Sequence, residues 1–280
     1  MEDLALKIKE LYEQKKSLSP GTFEPIFREF VNGLNSGIFR AAEFHNGRWR
    51  VNSWVKQGIL LGFRYGKIRT ISQNSVFYFS DKHTFPTRPM ADSRSVRVVP
   101  GGTTLRTGSF IGKNVVIMPP AYVNTGAYVG DNTLIDSHAL VGSCAQIGSH
   151  VHLSAGAQIG GVLEPVSALP VIIEDHVLVG GNCGVYEGTI VKRGAVLGAG
   201  TILTASVPVY DLVHQKIIRA SKEEPLIVPE NAVVVPGSRP VTENSFAREN
   251  SLQISCGLIV KYRDDRTESA TALEDLLRKN

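Results

Sequence analysis

One regularity constrains this chain more than any other. Aliphatic residues recur every six positions through its middle. From Val99 the steps land on Leu105, Ile111, Ile117, Val123, Val129, Ile135, Val141, Ile147, Leu153 and Ile159. A second phase runs through Ile173, Val179, Val185, Val191, Leu197 and Leu203. Aliphatics fill roughly a quarter of positions in an ordinary chain, so seventeen in register are not chance. Gly often follows the aliphatic residue, as at Gly112, Gly130, Gly142, Gly148, Gly160, Gly180 and Gly198. A small residue often stands two positions before it, as at Ala121, Ala127, Ala139, Ala145, Ala157, Cys183 and Ala195. Each hexad makes one short strand and one turn, and three hexads close a triangular coil with the aliphatic side chain inside. The expected class is mainly β, a left-handed parallel β-helix, an exception to the right-handed crossover rule. Coils stack as nearest neighbours, so the end coils need caps.

The period fails between Ile159 and Ile173, where Glu164–Pro170 reads as a loop thrown outward. Val209–Pro225 reads the same way, and the pattern resumes at Val228 and Val234. Loops that interrupt a rigid scaffold are natural places for function. Leu4, Ile8, Leu11 and Tyr12 mark an amphipathic helix, and further helices are expected over Phe23–Leu34 and Ser53–Phe63. Asn46-Gly47 between two apolar stretches signals a hairpin. Leu252–Tyr262 reads as a strand and Ser269–Arg278 as a short helix. The expected division is a mostly helical α/β unit over 1–95, the β-helix over 96–240 and a small strand/helix extension over 241–280.

Composition narrows the partners. A net charge of +4 with no basic run argues against nucleic acid and suits acidic small molecules. No stretch approaches the ~18 apolar residues that span a bilayer, and the first residues carry no signal-peptide core. Three cysteines, Cys144, Cys183 and Cys256, are widely spaced with no CxxC pair, which fits a reduced compartment better than a disulfide framework. A cytoplasmic protein is expected. Four histidines in the repeats, His138, His150, His152 and His176, admit a metal site or a histidine base, although a lone turn histidine is more often structural. No metal site is expected from their spacing.

The runs Tyr122–Val129, Val141–Gly148, Val151–Ser154 and Ile159–Pro165, with Asp136 between the first two, resemble the tetrahydrodipicolinate N-succinyltransferase family. Leu34–Gly37 through Trp54, Leu60–Arg64 and Arg97–Pro100 resemble it too. The resemblance implies a homotrimer with active sites between adjacent β-helices. It also implies transfer of succinyl from succinyl-CoA, a co-substrate, to the amine of hydrated tetrahydrodipicolinate in the diaminopimelate and lysine pathway, with no tightly bound cofactor. A related acetyltransferase acting on another amine is the alternative, and a metal-dependent enzyme of the carbonic-anhydrase kind is a more remote one.

Substrate-binding positions of the family fall on Arg97 and Asp136. A guanidinium matches a carboxylate with two parallel hydrogen bonds, which suits Arg97 to a dicarboxylate. An ammonium must lose a proton before it attacks a thioester, and Asp136 is the expected base. The chain departs from the family at one place. An Arg-Ser-Glu triplet there precedes Val-x-Glu-Gly, whereas here Asn182-Cys183-Gly184 precedes Val185-Tyr186-Glu187-Gly188. The earlier glutamate is missing, and Glu187 is the remaining catalytic candidate. Lys192, Arg193 and Arg219 are candidates for the phosphates of coenzyme A, with a solvated basic face as the bland alternative.

Overall fold

The computed structural model describes residues 2–14, 20–73, 77–87 and 95–263. The hexads form three parallel sheets that wrap one prism. Face I starts with Arg97–Val98 and rises through Val116–Ile117, Leu134–Ile135, His152–Leu153, Leu178–Val179 and Val196–Leu197 to the long strand Ala232–Pro240. Face II holds Thr104–Leu105, Tyr122–Val123, Leu140–Val141, Gln158–Ile159, Gly184–Val185 and Ile202–Leu203. Face III holds Phe110–Ile111, Tyr128–Val129, Gln146–Ile147, Ile172–Ile173, Ile190–Val191 and Ile227–Val228. The second residue of each two-residue strand points inward, and from Ile111 to Val228 these aliphatics are at most 1% exposed. Each such burial contributes about 1.5–3 kcal/mol, against which chain entropy is set.

The hexad register needs one correction at its start. Val98, not Val99, is the inward residue of the first rung, because Val98 pairs with Ile117. The corner after it holds one residue more than a hexad, and Gly101 and Gly102 take it through φ of 143° and 91°. The second phase, Ile173 to Leu203, is inward throughout, as expected.

The stretch Val209–Pro225 is also more regular than its sequence suggests. Val209–Asp211 pairs antiparallel with Lys216–Ile218 and parallel with Gln253–Tyr262. Gln253–Tyr262 in turn pairs antiparallel with Ala232–Pro240. Val209 and Ile259 thereby join the prism core and close its upper end. Local hydropathy could not reveal this, because the parallel partner of Val209 is Gly257, nearly fifty residues away. The helix expected over 269–278 lies outside the described residues.

Helices α1 (Glu2–Glu13), α2 (Pro20–Asn35) and α3 (Ser53–Tyr65) precede the prism. Between α2 and α3, Ala42–His45 and Arg48–Val51 form the expected hairpin, turning through Asn46 and Gly47 at φ of 49° and 80°. A second hairpin, Ile68–Gln73 with Phe77–Lys82, was not foreseen from the sequence. The helices pack through Phe23, Phe27, Phe30 and Phe85, and α3 comes close because Gly58 lies under the Phe30 ring, 2.5 Å from where a Cβ would stand. Cys144, in a turn of the prism, is buried in this same cluster. The helical unit is thereby seated against the corner where face II passes to face III. Among the described residues no helix is long and apolar enough to cross a membrane.

Candidate active site

Both interruptions of the repeat occur at one corner. Fourteen residues separate Ile159 on face II from Ile173 on face III, and twenty-five separate Leu203 from Val228, where the hexad gives six. Strand pairing continues undisturbed across both. Gln158 still meets Gly184, and Ile172 still meets Gln146. One tight turn, Tyr186-Glu187-Gly188-Thr189, lies between the two excursions. It is closed by the Thr189 hydroxyl donating to the Tyr186 carbonyl at 2.7 Å. The two loops, this turn and the Arg48–Val51 strand enclose a cavity of about 1200 Å³.

Glu187 lines this cavity. It sits in the left-handed region at φ 53°, is exposed, and accepts a hydrogen bond from the Ala205 amide at 2.8 Å. That bond holds one carboxylate oxygen to the next turn and leaves the other to the cavity. Gly188 follows at φ 72°, and a Cβ there would stand 2.7 Å from the Leu169 carbonyl, so the first loop can lie against the turn only because residue 188 is glycine. From the other side α3 anchors the same loop. The Lys56 ammonium is fully buried and donates to the Ala168 carbonyl at 2.5 Å. Burial pulls its pKa below the usual lysine range. Burial also pushes the Cys144 thiol up to about 12, partly offset by Lys56, so Cys144 is inert packing, as is Cys183, whose thiol burial raises too.

Asp136 stands at another corner, where face I passes to face II. It is half-buried, and its Oδ1 accepts from the Ser137 amide at 2.7 Å. Arg97 lies on face I, exposed, on the first rung. The strand leading into Asp136 is two rungs above it, about 10 Å at the usual strand spacing. Asp136 and Glu187 flank opposite edges of face II, two rungs apart, and do not meet within one chain.

The three expected coenzyme-binding cations do not form one cluster either. Lys192 and Arg193 are exposed at the corner between faces III and I, whereas Arg219 is exposed on the second excursion from the II–III corner. Arg193 belongs to a separate cavity of about 420 Å³ with Arg40 and Glu174. The large cavity has its own cations, Arg48, Arg50 and Lys222, which the sequence reading missed. Their available signal was position: two arginines straight after the Asn46-Gly47 turn, and a lysine inside a break in the repeat. His150 and His176 stack on successive turns, with ring centroids 4.9 Å apart, while His152 points out from face I, so the four repeat histidines have no common centre.

A family model described as the N-terminal part of tetrahydrodipicolinate N-succinyltransferase matches residues 3–65. A second, the hexapeptide repeat of succinyl-transferase, matches residues 170–205. Proteins named 2,3,4,5-tetrahydropyridine-2,6-dicarboxylate N-succinyltransferase are similar over the whole length. The one from Azoarcus sp. strain BH72 is 42% identical, covering 99% of each chain. That from Aromatoleum aromaticum is 41% identical, with 99% of each chain covered. That from Legionella pneumophila strain Corby is 37% identical over 100% of this chain and 99% of its own.

Proposed function

The chain belongs to the tetrahydrodipicolinate N-succinyltransferase family, and from that premise we propose the residues and assembly with which it works. It is a CoA-dependent N-succinyltransferase that acts on 2,3,4,5-tetrahydropyridine-2,6-dicarboxylate, a reaction of diaminopimelate and lysine biosynthesis. The observation that carries this is whole-length identity of about 40%, which takes in both excursions and the turn between them.

The chemistry follows from the groups available. The substrate amine is protonated at neutral pH, and Asp136 takes its proton. The free amine attacks the thioester carbonyl, an amide bond forms, the C–S bond breaks, and the coenzyme leaves as its thiol. Arg97 holds one substrate carboxylate through paired hydrogen bonds. Glu187, at the mouth of the large cavity, is the second carboxylate.

Asp136 and Glu187 flank opposite edges of one face. They can serve one substrate only if two chains stand side by side, the corner of one against the corner of the next. This supports a homotrimer with a site at each boundary, on prisms that wind left-handed. Arg219, on the excursion from one contacting corner, is the cation we propose for a phosphate of coenzyme A at that boundary, whereas Lys192 and Arg193 stand on the third corner, away from it. We read 1–95 as the helical unit, 96–240 as the prism domain and 241–280 as its extension, in a cytoplasmic enzyme without a tightly bound cofactor.

Release of coenzyme A thiol tests the reading. With purified protein and the dicarboxylate acceptor, release should be faster from succinyl-CoA than from acetyl-CoA and should need the acceptor. Faster release from acetyl-CoA would overturn the donor assignment. Light scattering should give three times the chain mass.

A further inference from the structure

Tyr186 occupies the large cavity in an unusual way. The residue after an inward aliphatic points away from the prism, but the Tyr186 ring turns back over Gly160 and Gly184 on the outer side of face II. Two glycines make room for it. A Cβ at Gly184 would stand 2.5 Å from Tyr186 Cε2 and 2.9 Å from its hydroxyl oxygen. A Cβ at Gly160, one rung away, would stand 2.7 Å from Tyr186 Cδ1. The equivalent outward positions on neighbouring rungs of face II carry Leu140, Gln158 and Ile202. At Gly184 the side chain is absent and a phenol hydroxyl from two residues further on sits in its place. This is also where the sequence departs from the motif that it otherwise resembles. Among the described residues the hydroxyl makes no hydrogen bond to protein, although its ring is half-buried beside Glu187.

We propose that Tyr186 is a catalytic residue whose phenol hydroxyl donates a hydrogen bond to the thioester oxygen of the acyl donor. The proposal rests on the N-succinyltransferase reading and adds a group to it. A phenol is a hydrogen-bond donor at neutral pH, whereas a carboxylate only accepts. The thioester oxygen gains negative charge as the amine attacks, so a donor fixed beforehand stabilises the transition state more than the ground state. The ring's bed of glycine does the fixing. No proton leaves the phenol, and the proton balance of the reaction stays with Asp136 and the departing thiol.

Two variants separate the hydroxyl from the ring. Tyr186→Phe keeps the ring on its glycines and removes only the donor. Gly184→Ala keeps the hydroxyl but places a methyl group where the ring lies. Each should lower kcat about 10²-fold, the usual cost of one lost oxyanion donor, with little change in the KM for succinyl-CoA. Kcat within twofold of wild type for Tyr186→Phe would overturn the proposal. A second readout needs no turnover. The infrared carbonyl band of bound succinyl-CoA, 13C-labelled at the thioester, should lie lower in wild type than in Tyr186→Phe. Identical bands would overturn the proposal even if the acceptor proved to be a different amine. A wild-type enzyme that shows this band difference yet fails to transfer succinyl to the dicarboxylate would overturn the functional reading alone. Succinyl-CoA that does not bind at all would overturn both.

Discussion

Two corners of the prism are built from the same hexad and do opposite things. The corner between faces III and I turns tightly at every rung. Its left-handed positions are Asn114, Asn132, His150, His176, Gly194 and Asn231, with φ between 55° and 69°. They form a ladder along the prism edge. Asn114 donates to Asn132 at 3.2 Å, Asn132 lies 3.4 Å from His150 Nε2, and His150 stacks on His176. Burial, then the neighbouring His150 and Arg193, holds the His176 imidazole below its ordinary pKa, which suits neutral rings in a stack. The corner between faces II and III begins with tight turns but twice lets the chain leave, and the large cavity lies there. Both corners enclose the same core, and strand register survives each departure. Enclosing the core therefore places few demands on what a corner carries outside it, and the large cavity opens where the chain is allowed to leave.

Activity should depend on the two carboxylates, one at the II–III corner and one at the I–II corner, and not on the ladder. Glu187→Gln and Asp136→Asn each preserve size and the hydrogen bonds accepted from the Ala205 and Ser137 amides. Loss of a general base costs about 10²–10⁴-fold. We expect Asp136→Asn to lower kcat by about 10³-fold and Glu187→Gln by about 10²-fold, with melting temperatures unchanged. Steady-state kinetics beside thermal denaturation checks both. Near-normal turnover of either variant at saturating substrate would remove that residue from the chemistry.

The same contrast explains what was legible in the sequence. Inward positions from Leu105 onward could be read directly, because a prism of fixed radius admits only aliphatics there and repeats the demand at every rung. The Asn46-Gly47 hairpin was legible because two consecutive residues at positive φ need that pair. The one-residue slip at Val98 was not, because Val98 and Val99 are both valine and only the pairing with Ile117 distinguishes them. At the site, Glu187 stood out inside a motif. Lys56 did not, since a lysine in an amphipathic helix reads as solvated until the loop it anchors is known. Tyr186 was passed over because its role depends on two glycines, one of them on another rung.

Lys56 is the next largest expected effect, because the III–I corner has no loop to hold. Lys56→Met keeps the buried stem and deletes the ammonium, leaving the Ala168 carbonyl without its partner. An unpaired buried acceptor costs about 1–3 kcal/mol, and the Ala168 carbonyl is only part-buried on a loop that can move away, so the cost falls at the lower end. We expect kcat/KM to fall about tenfold and amide exchange to quicken over residues 163–170. Exchange equal to wild type would mean that packing on Gly188 alone holds the loop.

The second excursion is held differently, by a buried carboxylate. Asp211 accepts from Tyr262 at 2.8 Å and pairs with His214 at 2.9 Å. Burial alone would raise its pKa, but the hydrogen bonds from His214 and Tyr262 outweigh it and hold the carboxyl at about 2, below the ordinary 3.8. A depressed carboxylate pKa stabilises the fold above the unfolded value and loses that contribution as pH falls through the folded one. Asp211→Asn should therefore cost about 1.5–3 kcal/mol near neutrality, and its difference from wild type should close between about pH 4 and pH 2. Denaturant titrations at several pH values measure it. A gap that persists at pH 2 would assign the effect to packing.

The smallest effects belong to the III–I ladder, and they test the comparison from its quiet side. His150 stands at φ 57°, a conformation that asparagine adopts readily and β-branched residues resist. Its neighbour one rung below, Asn132, already makes a ladder contact with an amide side chain. His150→Asn should thus shift stability by less than about 0.5 kcal/mol and leave turnover unchanged. His150→Val, similar in exposure but wrong for the backbone, should cost about 1–3 kcal/mol. Its turnover should also be unchanged once the protein is folded. If His150→Asn instead lowered kcat tenfold, the III–I corner would have to be counted as part of the site, and the contrast between it and the II–III corner would fail.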